Sequence, residues 1–312
     1  MDFGNGIEEE KNNIMKGRWI VNIFMFVILL VGAIFALTIN DKAPEKSAQY
    51  EISNLKLSDF NEIDINFPGR AKTSFKLSKN GWKMTSPYQT RADEFYVYRI
   101  LSLLAAKSSE KLSADDLGKY GLDQPRLKIT FSNSTLNEEF LFGTYNPITE
   151  DQYLFYNGNI FIINGGYSET ASYEPLELID KRPIATYEEI EGFDFSRLEQ
   201  WQTVGLKLAV KNNTWSASDL DLIITQEDMR DWFELTWDSI PSKSLEFYKL
   251  DQRIGYKGFD ILLKGNKKIT FYRIQESPEL LLLRKDENLL YHFPGDLGFT
   301  MLNPNVSKKE EK

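Results

Sequence analysis

Ser108-Ser109-Glu110-Lys111 sets a lysine three residues after a serine, the spacing that lets one helical turn bring an amine to a nucleophilic hydroxyl in penicillin-binding enzymes. The Ser-Asp-Asn and Lys-Thr-Gly partners of that chemistry are absent, and the serine falls where a helix is ending. Asp115-Asp116 and Asp219/Asp221 supply neighbouring carboxylates, whose mutual repulsion can split their pKa values for acid–base work. Solvated turn and cap residues are the favoured reading of both pairs. His292 is the single histidine, so a Ser-His-Asp relay would have to pass through it, and multi-histidine metal sites are impossible. It alternates with Tyr291 and Phe293, the pattern of a half-buried strand residue. The glycines of "GYKGFD" from Gly255 lack phosphate-loop spacing and read as a turn. No catalytic, cofactor-binding or metal-ligating residue is assigned, and no cofactor is called for.

The aromatics are the remaining candidates. Trp82, Trp201, Trp215, Trp232 and Trp237 fall at regular strand and helix positions, which favours core packing over sugar-stacking platforms or protein-binding hot spots. As possible interaction residues we keep Trp82, Tyr120, Trp215 and Trp237. The sequons at Asn133, Asn212 and Asn305 matter only in a eukaryotic secretory setting.

The 312 residues are 42% hydrophobic and 13% aromatic, enough for one large core or two modest ones. A net charge of −9 disfavours a general phosphate-binding surface and excludes nucleic acid as a partner. With no cysteine there are no disulfides, thiolate metal sites or lipid-modified cysteine anchor.

Residues 19–39, "WIVNIFMFVILLVGAIFALTI", carry no charge. As a helix they would be roughly 31 Å long, matching a hydrocarbon core of about 30 Å. This predicts a transmembrane helix in contact with the lipid bilayer; a buried core helix or a signal peptide fits less well, the first for want of a polar face and the second for length. Lys11, Lys16 and Arg18 before the span outnumber Lys42 and Lys46 after it, which predicts a cytoplasmic tail over 1–18 and the bulk of the chain outside the inner membrane, in the periplasm of a bacterium.

Beyond the span the chain is written twice. "FKLSKNGWKM" from Phe75 returns about 130 residues later as "LKLAVKNNTW" from Leu206, each a strand, a tight turn and a strand ending near tryptophan. Thr90-x-x-Asp93 and Thr225-x-x-Asp228 each open an amphipathic helix, with Val97, Ile100, Leu101 and Leu104 on the apolar face of the first and Met229, Trp232, Phe233 and Trp237 on that of the second. Gly121 and Gly255 then precede alternating strands, and hairpins turn at Asn157-Gly158 and near Asp286 to Asn288. The expected fold class is α+β: one N-terminal transmembrane helix followed by two tandem repeats, each a mostly antiparallel sheet with one main helix. The first repeat covers about 50–180 and the second 190–303, joined by a charged connector, with a flexible tail at 304–312.

The words Gly81-Trp82, Pro87, Ala92-Asp93 and Tyr120-Gly121-Leu122 with Pro125 resemble an uncharacterised family of bacterial membrane-anchored proteins, a domain of unknown function encoded beside gliding-motility-type ABC transporter components. The likeness covers roughly 55–190, with the second half a diverged copy. It implies an envelope protein working with a membrane partner of an ABC-type transport system, and it carries no established active site. The expected function is therefore a non-enzymatic, extracytoplasmic accessory or scaffold subunit. The alternatives are a glycan- or ligand-binding module using the cleft between the repeats, and a hydrolase.

Overall fold

The computed structural model describes residues 25–31, 49–218, 221–238 and 240–308. The chain divides into a unit of residues 1–49 and a second unit of residues 50–312. In the first unit residues 25–31 are helical (α1), and all seven are exposed. The remainder of the apolar 19–39 stretch, and the tail over 1–18, lie outside the described residues. Among the described residues no helix is long and apolar enough to cross a membrane, so the expected N-terminal transmembrane helix is not supported.

The second unit is dominated by antiparallel sheet. Its first half holds β1 (Tyr50–Glu51), β2 (Glu62–Asn66), β3 (Thr73–Ser78), β4 (Gly81–Ser86), β5 (Thr90–Arg91), β6 (Lys107–Ser108), β7 (Lys111–Ser113), β8 (Leu127–Ser132), β9 (Asn137–Asn146), β10 (Asp151–Tyr156) and β11 (Asn159–Asn164), with helices α2 (Glu94–Leu101) and α3 (Gly166–Ala171). Its second half holds β12 (Ile190–Asp194), β13 (Lys207–Lys211), β14 (Thr214–Ala217), β15 (Leu222–Ile223), β16 (Ser244–Phe247), β17 (Lys257–Leu263), β18 (Lys267–Gln275), β19 (Glu279–Arg284), β20 (Leu289–Pro294) and β21 (Ser307–Lys308), with α4 (Gln226–Thr236) and α5 (Gly295–Leu302). The first sheet runs β5-β4-β3-β2-β8-β9-β10-β11-β7 and the second β14-β13-β12-β17-β18-β19-β20-β16. Apart from β5, these are the same order. In each sheet the chain leaves one edge through a helix and re-enters at the opposite edge, as β7 or β16.

Alternation decides which side chains go inward. In β2 only Ile63 and Ile65 are buried, and in β10 Gln152, Leu154 and Tyr156 are. Helix α2 buries Val97, Ile100 and Leu101, and Leu104 follows in the next turn; α4 buries Met229 and Trp232. The cap of α2 differs from expectation. Asp93, not Thr90, is the N-cap, accepting from the Phe95 amide at 3.0 Å, because Thr90 and Arg91 are drawn out as β5 against β4. In the second copy Thr225 caps as read, accepting from the Asp228 amide at 3.0 Å.

The residue after each cap closes the neighbouring strand. Glu94 accepts from the Trp82 amide at 3.4 Å, whereas Gln226 both accepts from the Trp215 amide at 2.8 Å and donates to the Trp215 carbonyl at 2.9 Å. Asn157 and Gly158 take positive φ values of 46° and 74°, as their hairpin requires. Gly121 has φ 66°, a conformation Gly255 does not share, so that pair of glycines is not equivalent.

Residues 304–308 are not the frayed tail expected of them: Pro304 is buried, Val306 packs against the core and Ser307–Lys308 pairs with β15. Residues 309–312 lie outside the described residues. This end is held because three indoles converge on α5. Trp201, Trp232 and Trp237 donate to the carbonyls of Leu302, Thr300 and Met301 at 2.8, 2.8 and 3.1 Å, and the Asn303 amide adds a second donor to Thr300 at 3.2 Å, so the last turn of the helix is satisfied. Trp232→Phe keeps the ring and deletes one donor; urea unfolding is expected to show a loss of about 1 kcal/mol, the usual worth of one such bond.

Candidate functional site

The largest concentration of buried charge lies where the two halves meet. Arg91 of β5, 6% exposed, donates to Asp180 at 2.8 Å, to Glu287 at 2.7 Å, to the Arg182 carbonyl at 2.7 Å and to the Tyr291 hydroxyl at 2.9 Å. Arg284 of β19, 3% exposed, donates to Glu188 at 2.6 and 2.8 Å, to Asp286 at 3.0 Å and to the Pro183 carbonyl at 2.8 Å. Glu287 stands between them: it is paired with Arg91, lies 3.6 Å from Arg284 and accepts from the Tyr291 hydroxyl at 2.8 Å. Arg182 grips Asp180 through two bonds of 2.8 and 3.0 Å. The charged connector thus supplies Asp180, Arg182 and Glu188 to a joint otherwise built from β5 of the first sheet and the β19–β20 hairpin of the second. Nearby, Tyr88 stacks on Phe247 of β16 with centroids 4.0 Å apart, and the Ser242 amide donates to the Lys181 carbonyl at 2.8 Å.

Burial works against the charge on Arg91, but Tyr291, Glu287 and Asp180 more than offset it and its pKa is raised. Arg284 is raised in the same way by Glu188, Glu287 and Asp286. Burial, then Glu287, holds the Tyr291 hydroxyl well above its ordinary value, so it stays a neutral donor. All the strong donors here are spent on protein acceptors, which makes the cluster a mechanical clamp.

The residues singled out for chemistry are dispersed. Ser108 is buried, donating to the Ile162 carbonyl at 2.7 Å and accepting from the Ile162 amide at 3.0 Å, so its hydroxyl stitches β6 to β11, while Lys111 is exposed on β7. Asp115 accepts from Ser113, and Asp116 accepts from the Lys119 amide at 3.3 Å, both as turn residues. Asp219 lies outside the described residues. His292 lies 3.4 Å from Glu246 and 3.7 Å from Glu279 on the half-buried outer side of β20. Trp82, Trp215 and Trp237 are buried, at 4%, 6% and 1% exposure, so none presents a surface for interaction. Trp215 and Trp237 instead share Phe193, with centroids 6.3 and 5.4 Å away. Tyr120 is half-buried against Tyr153 at 4.7 Å, with the Lys119 ammonium 5.3 Å from its ring.

One carboxylate pair escaped the sequence. Asp194 and Asp260 sit directly opposite on β12 and β17, 66 positions apart in the chain and therefore invisible to local spacing. Burial pushes Asp260 up, yet the Thr270 hydroxyl at 2.7 Å, Lys268 at 2.9 Å and Arg197 at 2.7 Å outweigh it, and its pKa is lowered. Asp194 is lowered likewise, burial being outweighed by Ser196 and Lys207. Acid–base partners need pKa values driven apart, whereas these two are both driven down.

A family model described as "Domain of unknown function (DUF4340)" matches residues 82–246, just over half of the chain. The chain belongs to the DUF4340 family. No curated protein and no solved structure matches it. The DUF4340 match begins in β4 and ends in β16, so it runs across both sheets. It contains Arg91, Asp180, Arg182 and Glu188, while Arg284, Glu287 and Tyr291 lie beyond it.

Two outcomes follow from these charges. Glu287→Gln leaves two buried guanidiniums short of one counter-charge and is expected to cost about 3 kcal/mol in urea unfolding, against less than about 1 kcal/mol for Glu139→Gln in the exposed Lys128–Glu139 pair. Asp194 and Asp260 have folded pKa values below their unfolded ones, so their ionisation stabilises the fold above about pH 4 and that contribution disappears as pH falls through the folded values. The urea midpoint should therefore drop on acidification below about pH 4, and less steeply in Asp260→Asn.

Proposed function

We propose that this DUF4340 protein is a non-enzymatic accessory subunit that holds two sheets in one fixed arrangement for a membrane-protein partner of an ABC-type transport system of the gliding-motility kind, with residues from about 50 onward outside the cytoplasm. The observation that carries this reading is Glu287 shared between Arg91 and Arg284. Shifting one sheet on the other would leave charged groups buried without their partners, at a cost of several kcal/mol. The body therefore behaves as a spacer whose two sheets keep one orientation, and its contribution to a complex is positional. The transport-system partner and the location come from the family resemblance alone. The junction favours no glycan cleft, since Tyr88 on Phe247 and the ion pairs fill it.

Tagged full-length chain, extracted in detergent from its native host, is expected to co-purify with a permease-type membrane protein. Arg91→Ala, which opens the joint, should reduce that recovery several-fold while far-UV circular dichroism retains its strand signal. Recovery of the chain alone, or full recovery with the joint opened, would remove the scaffold reading.

A further inference from the structure

In each half the chain leaves an edge strand and must cross a face of its own sheet to reach a central one. Residues 114–126 run from β7 to β8, and residues 248–256 run from β16 to β17. In the second sheet Leu280 of β19 packs on Gly298 of α5, so alternation turns Leu283 and its cross-strand partner Leu290 to the side away from that helix. Both are nevertheless sealed, at 0% and 1% exposure. Tyr272 stands opposite Leu283 on β18 and continues the same face, and Tyr256 of the 248–256 strap lies 6.1 Å from its ring. The strap therefore lies over this side and keeps water from the leucine pair. In the first sheet Ile160 is buried on the corresponding side, that of Tyr153, against which Tyr120 of the 114–126 strap packs.

The two straps are fastened differently. The first is riveted to its sheet: Leu122 is buried, the Arg126 amide donates to the Phe142 carbonyl at 2.9 Å, and a Cβ on Gly143 of β9 would collide with the Tyr120 carbonyl. In the second, among the described residues, one main-chain bond ties the strap down, from the Tyr248 amide to the Asn288 carbonyl at 3.0 Å. Its other bonds turn inward. The Tyr248 and Tyr256 hydroxyls meet at 3.3 Å, the Asp251 amide donates to the Tyr256 hydroxyl at 3.3 Å, the Ile254 amide donates to the Asp251 carbonyl at 3.0 Å, and Arg253 pairs with Asp251. Ile254 is 53% exposed, and a Cβ on Gly255 would meet nothing within 4 Å. Both ends are held, Phe247 by its stack on Tyr88 and Lys257 by pairing with Arg273. A segment closed by its own bonds, lightly tied to what it covers and anchored at both ends opens as one body.

We infer that residues 248–256 form a lid that lifts off the second sheet as a unit, uncovering Leu283 and Leu290 while both sheets and the charged joint stay closed. This device is independent of the scaffold reading.

The chain has no cysteine, so a single one placed beneath the lid reports each opening by its reaction with an aromatic disulfide reagent. Leu283→Cys and Leu290→Cys in the full-length chain are read separately, so that loss of folding in one leaves the other. Leu282→Cys, on the helix side of the same strand, and Ile160→Cys, beneath the first strap, are the controls. Both lid variants are expected to react at least about a hundredfold faster than the controls, at a rate flat in low urea, as local opening without exposure of the sheet requires. Tyr256→Phe removes the hydroxyl that joins Asp251 to Tyr248; it should speed the reaction on the order of tenfold, the usual effect of losing such a bond, without moving the urea midpoint. Reaction no faster than at Leu282→Cys, a rate that climbs with urea from the start, equal reaction at Ile160→Cys, or indifference to Tyr256→Phe would each overturn the lid. Failure of co-purification with a permease would instead strike only at the scaffold reading.

Discussion

A single carboxylate, Glu287, governs how the two halves of this chain relate. It sits between two guanidiniums that the fold has taken out of water, and each guanidinium is anchored in a different sheet. Desolvating such groups is expensive, and the expense is offset only while every partner is in place. The consequence is directional: the ion pairs add little that an apolar junction could not, but they penalise any other relative placement of the sheets. The connector between the copies shares this duty. Asp180 and Glu188 are charged because they face Arg91 and Arg284, so a stretch that reads as a solvated linker is part of the interior.

The two copies share a strand order and differ at particular positions. Arg91 extends the first sheet through β5, and the corresponding stretch of the second copy pairs β15 with β21 at the other end of the chain. The second half carries tryptophans that close α5, and the first half has an open recess beside α3 with Tyr145 in its wall. One copy thus carries an open recess, while the other spends its large aromatics internally.

Much of the sheet architecture was legible from alternation, from Asn-Gly turns and from the return of the same words after about 130 residues, because these are local or repeated signals. The helix faces were legible for the same reason. The cap of α2 was misplaced by three residues, since Thr90 and Arg91 pair with β4 and Arg91 is held by Asp180 and Glu287, far away in sequence. The apolar run at 19–39 has the length and hydropathy of a span, yet among the described residues no helix is long and apolar enough to cross a membrane. The tryptophans were ambiguous in sequence because an indole serves a surface or a core equally well, and only the carbonyls of residues 300–302 decide for three of them. The Asp194/Asp260 pair and the joint depend on cross-strand register, which spacing along the chain does not encode.

Gln226 bears on how this molecule behaves in a crowded compartment. Its amide occupies both main-chain groups of Trp215 at the outer margin of the second sheet, in the manner of one residue from an adjoining strand. A sheet margin left bare invites identical chains to add on without limit. By seating its own side chain there, the protein closes that part of the β14 margin to an incoming strand.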